Sequence, residues 1–326
     1  MKKLYLIIIG LVICAMGIVI FLKFKNNTLD EMMKEAKNIK QYQLVCDMEI
    51  TQNDELKSYE VKVDYLNKDQ QKYYRVELYD KSLNQSQIII RNKKGVYVLT
   101  PTLNQMFKFQ SNWPENSPKP YIYHYLIQLL ESNKVKKIEK GYQVDAKVKY
   151  PNDSRIVKQE VIFDKKLKPL IILCLDQDET EIITCKVNEF HKNKKFKLKH
   201  FNQNQALKES KKDIRTSANS DVLYPVSLLG SKLESETVSS IEGDKNHILK
   251  FTGDKNFTMV ESQMNESQVV QFSKDEIIDL VDGFAYYQPG KLSMMYHGMM
   301  CSLYSQDLTK EEMSAVMTSM QTSSTK

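Results

Sequence analysis

Alternation of apolar and polar side chains is the feature that most constrains the fold of this chain. Within residues 58–65 and 74–78, tyrosine, valine and leucine alternate with charged or polar residues. A period of two is typical of a β-strand with one buried and one wet face. The alternation returns in residues 142–150, and short polar turns separate such segments. The pattern predicts a large antiparallel sheet in a mainly β, α+β protein.

The apolar positions of this sheet are the candidate ligand site. Two short helices are predicted nearby, and a sheet this large exceeds what they cover, which would leave a concave apolar surface for a ligand or partner. The alternative is that the same residues form an ordinary core beneath the helices. Trp113, the single tryptophan, is expected against the open end of the sheet. The predicted cavity residues are Tyr59, Val61, Val63, Tyr65, Tyr74, Val76, Leu78 and Trp113.

An uncharged apolar run from Leu4 to Leu22 directly follows two lysines. At about 1.5 Å per residue, a helix of this length covers the hydrocarbon thickness of a bilayer. The run lacks the polar stripe of a buried core helix. We therefore predict an N-terminal transmembrane helix, with residues 1–25 anchoring the chain in the cytoplasmic membrane. The leading lysines favour a cytoplasmic N-terminus, which makes the chain a single-pass cell-membrane protein with its bulk outside the cytoplasm.

Two alternatives to the anchor remain open. A cleaved signal peptide needs a shorter apolar core and small residues before the cut, whereas this run continues through Leu22. A lipoprotein needs a small residue directly before its lipidated cysteine, but Ile13 precedes Cys14. Cys14 is kept as a candidate lipidation site, and the uncleaved anchor is the favoured interpretation.

Changes of pattern divide the chain into five segments. A capping box at Thr28 and Glu31 begins one helix, and Pro120 begins another after a proline-rich loop. From residue 191 lysines dominate, which favours a solvated linker, with a lipid-binding patch as the alternative. The predicted segments are an anchor (1–25), a β-rich domain (26–190), a basic linker (191–220), a smaller α+β domain (221–320) and a disordered tail (321–326).

The sequence contains no motif for catalysis or metal binding. It lacks a phosphate-binding glycine loop, a GxSxG elbow and an HExxH helix. The five histidines are scattered and the five cysteines form no CxxC pair, so no metal site is predicted. The net charge of +6 comes almost wholly from lysine, whereas readers of nucleic acid favour arginine. We therefore predict a binding protein that is not an enzyme, uses no cofactor and binds no nucleic acid.

Cys174 and Cys185 lie on two predicted strands that form a hairpin. If the turn is Glu179–Thr180, the two cysteines are directly opposed, which is close enough for a disulfide bond. A longer turn centred on Asp178 shifts the register and leaves two separate buried thiols. Export would permit the bond. Cys174 and Cys185 are thus a candidate disulfide, although the shifted register is favoured.

The order of these patterns resembles the LolA-like superfamily of lipoprotein-carrier proteins. The most specific part is the stretch Asn112–Ser117 followed by Pro120, Tyr121 and Leu126. The sequence looks most like the Gram-positive sporulation branch, which holds YdcC-like and GerS-related germination lipoproteins. Four C-terminal stretches resemble the second domain of YdcC-like proteins: Tyr224–Pro225, Phe251–Gly253, Phe257–Glu261 and Leu308–Met313.

The resemblance implies an unclosed antiparallel β-barrel, a half-barrel over residues 26–190, whose apolar cavity is covered by helices. In lipoprotein carriers that cavity holds a lipid acyl chain, and we expect a similar role here in sporulation or germination. GerS-like members imply an alternative, a protein partner of a cell-wall amidase that modifies the cortex. RseB-like anti-sigma regulators share the barrel and imply a third. GerS-like proteins are lipoproteins, and this sequence departs from their pattern around Cys14.

Overall fold

The structure is a computed structural model that describes most of the chain. The predicted anchor and Cys14 lie outside the described residues. Within the described part, no helix is both long enough and apolar enough to cross a membrane. The described residues are 28–52, 55–81, 85–101, 105–109, 112–114, 119–150, 153–210, 222–241, 244–263, 276–280, 283–296 and 299–322.

Helix α1 (Leu29–Lys37) belongs to a compact unit that ends at Asn38, and a second unit begins at Ile39. The Thr28 side chain accepts a hydrogen bond from the backbone N–H of Glu31, whose carboxylate accepts one from the Thr28 N–H. These two bonds satisfy backbone donors that the first turn of a helix leaves open. The predicted capping box is confirmed.

An antiparallel sheet of eleven strands dominates the second unit and is called the first sheet below. Its strands run in the order β6-β5-β4-β3-β2-β1-β11-β10-β9-β8-β7, so β6 and β7 are its edges among the described strands and the sheet is unclosed. The predicted large antiparallel sheet is confirmed. The strands are β1 (Gln41–Gln52), β2 (Glu55–Lys68), β3 (Gln71–Asp80), β4 (Gln85–Asn92), β5 (Gly95–Thr100), β6 (Gln105–Phe109), β7 (Val135–Ile138), β8 (Gly141–Lys147), β9 (Lys158–Asp164), β10 (Pro169–Leu175) and β11 (Glu181–Lys192).

Helix α2 (Tyr123–Ser132) packs against one face of the first sheet, which we call the inner face. The register aligns Tyr42 of β1 with Tyr65 of β2 and Tyr65 with Tyr74 of β3, so these rings share the inner face. The ring of Tyr123 at the start of α2 lies 5.6 Å from that of Tyr42. Leu126, Ile127 and Leu130 are also buried. The alternation seen in the sequence therefore corresponds to a helix-covered face.

The outer face of the first sheet is covered over β2 to β5, which corrects the prediction of a solvated linker from residue 191. A 3-10 helix (Leu198–Phe201) places Phe201 against Leu66 and Tyr73. Helix α3 (Gln203–Ser210) then buries Ala206 and Leu207 against apolar side chains of β4 and β5. Burial on both faces explains why three consecutive isoleucines of β4 are buried. A few apolar side chains among many lysines suffice to dock this segment.

A second sheet of seven antiparallel strands follows, in the order β13-β14-β15-β19-β18-β17-β16. Helix α4 (Lys310–Thr318) carries a confirmed capping box at Thr309 and Glu312 and packs against this sheet. The strands of this region are β12 (Leu223–Pro225), β13 (Ser231–Ile241), β14 (Asp244–Gly253), β15 (Phe257–Gln263), β16 (Glu276–Leu280), β17 (Gly283–Gln288), β18 (Lys291–Tyr296), β19 (Met299–Tyr304) and β20 (Met320–Thr322).

The start of the predicted disordered tail is ordered. Gln321 and Thr322 belong to β20, which pairs with β12 in a two-stranded sheet, so the predicted tail over 321–326 is wrong at these two positions. The reason is a tertiary contact: Gln321 lies opposite Tyr224, almost a hundred residues earlier in the chain.

The hairpin of β10 and β11 does not oppose Cys174 and Cys185. Cys174 pairs with Ile183 and Cys185 with Ile172, and both thiols are free. The direct pairing is wrong because the turn runs from Asp176 to Thr180, held by a hydrogen bond from the Asp176 N–H to the Thr180 carbonyl. The longer turn centred on Asp178, which the sequence favoured, is confirmed.

Candidate functional site

A chain of aromatic rings crosses one part of the inner face and is called the aromatic row. The ring of Tyr42 lies 5.1 Å from that of Tyr65, which lies 4.7 Å from that of Tyr74. From helix α2, the His124 ring approaches Tyr65 to 4.6 Å. All eight predicted cavity residues are buried, with at most 7 % of any of them exposed. The structure therefore brings them together on one face.

Trp113 extends the aromatic row toward the second sheet. Its indole lies edge-on to Tyr74 of the first sheet and to Phe284 of β17, with centroid distances of 6.1 and 6.2 Å. Phe109 of edge strand β6 contacts the same Phe284 at 5.3 Å. The single tryptophan of the chain thus lies at the junction of the two sheets.

A buried ion pair accompanies Trp113 at this junction. The Lys119 ammonium lies 2.5 Å from the Asp279 carboxylate and donates a hydrogen bond to the Leu280 carbonyl of β16. Burial raises the pKa of Asp279, and hydrogen bonds from Lys119 and the Trp113 indole oppose that rise. Because both charges are removed from water, each depends on the other.

Small side chains occupy a second part of the inner face, which we call the small row. Cys46 of β1 and Cys185 of β11 are diagonal neighbours, since Cys46 pairs with Val187. On the next strands Cys174 pairs with Gln159, and Gln159 with Ala146. The row Cys46, Cys185, Cys174, Gln159 and Ala146 is buried throughout. Short side chains leave more room beneath a covering helix than the neighbouring tyrosines do.

The small row contains a polar group in an apolar setting. Gln159 is fully buried, and neither end of its side-chain amide has a hydrogen-bond partner among the described residues. The buried hydroxyl of Tyr121 has none in the described part of the chain either. Tyr121 lies near the small row, because Cys46 and Cys185 influence its pKa, which burial raises. Buried amides and hydroxyls are almost always hydrogen-bonded, so these two groups mark a site that a ligand can complete.

Two thiols of the small row, those of Cys174 and Cys185, have a raised pKa. Burial raises the pKa of Cys174 to about 12, although a hydrogen bond with the Tyr150 hydroxyl lowers it. The hydrogen bond between the Cys185 and Cys46 thiols, followed by burial, raises the pKa of Cys185. Thiols with a raised pKa stay protonated at neutral pH.

Among the described residues, no group of three or more His, Cys, Asp or Glu side chains could hold a metal. Near the aromatic row, burial lowers the pKa of His124 to about 4, so its ring is neutral. The face thus offers apolar contact and a few hydrogen bonds.

Comparison with known proteins decides the family. The family of sporulation protein YdcC-like sequences matches residues 1–201. Sporulation protein YdcC of Bacillus subtilis (strain 168) is 32 % identical over 312 residues, which cover 91 % of this chain and 90 % of the relative. The chain belongs to the YdcC-like family. The resemblance seen in the sequence is confirmed.

Solved structures give weaker similarities. The complex of MucA and MucB from Pseudomonas aeruginosa aligns with a TM-score of 0.34 and 14 % identity, over 89 % of this chain and 96 % of that one. A domain from Vibrio parahaemolyticus, named as one of an outer membrane lipoprotein-sorting protein, aligns with a TM-score of 0.32 and 13 % identity, over 54 % of this chain and 97 % of that one. At these scores neither similarity bears on the site of this YdcC-like chain.

Sequence reasoning missed the small row of this YdcC-like protein. Val144 and Ala146 alternate with charged residues in the sequence, as the predicted cavity residues do, but Gln159 breaks the apolar pattern of its strand. A lone glutamine at an apolar position was the available signal. Its importance follows only from its burial, which depends on the fold.

Proposed function

We propose that this YdcC-like chain is a non-catalytic binding protein that acts outside the cytoplasm during sporulation. Its ligand is an amphipathic, mainly apolar molecule such as a lipid, held between the inner face and helix α2. One observation carries the proposal: the amide of Gln159 is fully buried without a hydrogen-bond partner among the described residues.

The position of Gln159 favours an amphipathic ligand over a purely apolar one. Leaving a buried amide without a partner costs about 1–3 kcal/mol, which a purely apolar ligand would not recover. A hydroxyl, ester or carboxyl oxygen could accept a hydrogen bond from the Gln159 Nε2 group, and a hydroxyl could also donate one to its Oε1. The flanking Cys174 and Ala146 are small, so an acyl chain could lie beside the amide.

The aromatic row is the closed part of the site. Its rings already contact one another at 4.6–5.1 Å. A ligand therefore enters over the small row, and helix α2 moves outward to admit it. The eight predicted cavity residues then form the wall of the site, with the small row as its floor.

The location of the protein rests on its sequence. The run from Leu4 to Leu22 supports a membrane anchor over residues 1–25 and an extracytoplasmic position for the rest. The name of the Bacillus subtilis relative supports a role in sporulation. Germination remains part of the same proposal through the resemblance to GerS-related proteins.

A protein partner is the second candidate, and an edge of the second sheet favours it. Among the described strands β13 pairs only with β14, and its residues 232–238 are exposed. Leu233 and Val238 expose 43 % and 54 % of their surface. An exposed edge strand with apolar side chains can pair with an extended segment of another chain. Such a partner could be a cell-wall amidase, and a role as an RseB-like anti-sigma regulator is the third alternative.

Purification of the full chain from membranes distinguishes the two candidates. Mass spectrometry of the purified protein should detect a lipid at near-equal molar amount, and Gln159→Leu should reduce that amount several-fold. Leu233→Ser together with Val238→Ser serves as the control and should leave the lipid unchanged. A stable protein partner that this control removes, without bound lipid, would favour the second candidate instead.

A further inference from the structure

Exposed lysines gather at one end of the first sheet, which we call the basic end. Backbone hydrogen bonds place three chain segments there: the Asn67 N–H donates to the Lys40 carbonyl, and the Asn193 N–H to the Gln41 carbonyl. The Lys192 ammonium donates a hydrogen bond to the Lys166 carbonyl over 3.0 Å, so the turn between β9 and β10 lies at the same end.

The hairpin turns add further lysines at the same end. The turn between β2 and β3 closes with Lys68 opposite Gln71, and the turn between β4 and β5 with Asn92 opposite Gly95. Acidic residues at this end are few, namely Asp69, Glu139 and Asp164. The basic residues at this end are Lys40, Lys68, Lys72, Lys93, Lys94, Lys140, Lys165, Lys166, Lys168, Lys192, Lys194, Lys195, Lys197 and Lys199.

The opposite end of the first sheet is more balanced in charge, with acids beside its lysines. Its turn between β10 and β11 carries Asp176, Asp178 and Glu179, and Glu181 follows at the start of β11. Asp80 and Asp153 lie at the same end, and its lysines partly pair with acids, as Lys158 does with Glu179 at 2.9 Å. The charge along the strands is therefore asymmetric, which plain solubility does not require.

The basic end is also the end at which the chain enters the sheet. Strand β1 begins there at Gln41, directly after the residues that connect it to the predicted anchor. With α1 intact, residues 26–40 reach at most about 35 Å. An anchor over residues 1–25 would therefore keep the basic end near the bilayer surface.

We infer that the basic end is a docking surface for anionic phospholipid headgroups. Each lysine held near an anionic membrane contributes about 1 kcal/mol, which corresponds to about a fivefold change in occupancy. Leu198 is 43 % exposed among these lysines and can insert into the headgroup region. Docking points the strands away from the membrane surface and places the turn at 176–180 at the far end. The inference goes beyond the proposed function and uses only its membrane anchor.

Hydrogen exchange of the full chain in lipid nanodiscs tests this surface. In discs with phosphatidylglycerol, amides in residues 92–95, 164–168 and 192–199 should exchange several-fold more slowly than in discs of phosphatidylcholine alone. The turn at 176–180 should not change, and high salt should abolish the protection.

Two charge-matched variants sharpen the test. Lys194→Glu with Lys195→Glu should lower the ratio of docked to undocked protein at least about twenty-five-fold, which corresponds to about fivefold for each lysine. Lys147→Glu with Lys149→Glu, exposed residues at the opposite end, should have little effect. Equal exchange in both kinds of disc, equal loss in both variants, or protection by soluble polyphosphate alone would overturn the inference.

A failure of the full chain to enter nanodiscs tests the proposed anchor and not the basic end. If the full chain does not enter nanodiscs, the proposed anchor is wrong, and sedimentation with preformed vesicles decides the surface. Salt-sensitive binding to phosphatidylglycerol vesicles but not to phosphatidylcholine vesicles supports the basic end. Absence of binding to both overturns it.

Discussion

The two sheets each bury one face beneath a helix, but the buried faces differ. Beneath α4 the second sheet packs an almost wholly apolar core that includes Leu249, Met259 and Leu303. Its buried Glu261 carboxylate accepts hydrogen bonds from the Leu223 N–H at 3.2 Å. Beneath α2 the first sheet buries the Gln159 amide and the Tyr121 hydroxyl, neither of which has a hydrogen-bond partner in the described part of the chain.

This difference separates a face built for stability from one built for binding. A core gains most when its polar groups are satisfied or absent, as the Glu261 carboxylate is satisfied in the second sheet. A binding face leaves polar groups for its ligand to complete, at some cost to the stability of the free protein. We propose that the first sheet is the binding module and that the second sheet supports it through the junction at Trp113.

The largest effect is expected at the junction that joins the two sheets. Lys119→Met leaves Asp279 buried without its cation, which should lower the free energy of unfolding by about 3–5 kcal/mol. The Trp113 indole contacts Phe284 across the junction, so its fluorescence should shift to longer wavelength as the sheets separate. Denaturant titration followed by this single tryptophan measures both changes.

A second variant distinguishes the loss of the ion pair from a general packing defect. Lys119→Met combined with Asp279→Leu removes both charges and should recover most of the lost stability. If the double variant is as unstable as the single one, the ion pair does not join the sheets.

A smaller effect is expected from Glu261 in the second sheet. Burial raises the pKa of Glu261 to about 7, although the Leu223 N–H lowers it. When the pKa of a carboxyl is higher in the folded state than in the unfolded state, its contribution to the free energy of unfolding is greatest below about pH 4.5. That contribution is lost as the pH rises through about 7. The free energy of unfolding should therefore fall by up to about 3 kcal/mol from this group between pH 4.5 and 8.

Comparison with Glu261→Gln isolates that contribution. The variant keeps an acceptor for the Leu223 N–H but cannot ionise, so the difference in unfolding free energy between the two proteins should change with pH in this window. Titrating groups that do not interact with Glu261 are the same in both proteins and cancel. A difference that stays constant from pH 4.5 to 8 contradicts the shifted pKa.

The smallest effect is the most informative about binding. Gln159→Leu removes the unpartnered amide and should raise the stability of the ligand-free protein by about 1–2 kcal/mol. The opposite change in the second sheet, Leu303→Gln, should destabilise it by several kcal/mol, about 3 or more. Thermal unfolding of both variants, after lipid has been removed, measures the contrast. Destabilisation by Gln159→Leu would place the amide in an ordinary satisfied core.

Much of the fold could be predicted from the sequence because its signals are local. The alternation around Val61 and Val76 depends only on the geometry of a strand, and the capping boxes at Thr28 and Thr309 only on the first turn of a helix. The predicted cavity residues share one face for the same reason.

The errors arose where distant segments meet. The docking of Phe201 on Tyr73 and the pairing of Gln321 with Tyr224 join residues far apart in the chain, and no local pattern specifies them. Cys174 lies opposite Ile183, two residues from the predicted Cys185, because the turn is centred on Asp178 and the register also shifts between Cys174 and Leu175. The small row could not be predicted from the sequence because its members become a candidate site only when the fold places them beneath a covering helix.

Photo-crosslinking of an acyl ligand tests the central claim most directly. A fatty acid that carries a diazirine in its chain is bound to the purified full-length protein and illuminated, and the labelled peptides are mapped. The account predicts saturable labelling of peptides that contain Tyr125 of α2 and Cys174 or Gln159 of the first sheet, with much less in Gln159→Leu. Labelling confined to the second sheet or to residues 1–25, or labelling that never saturates, would contradict it.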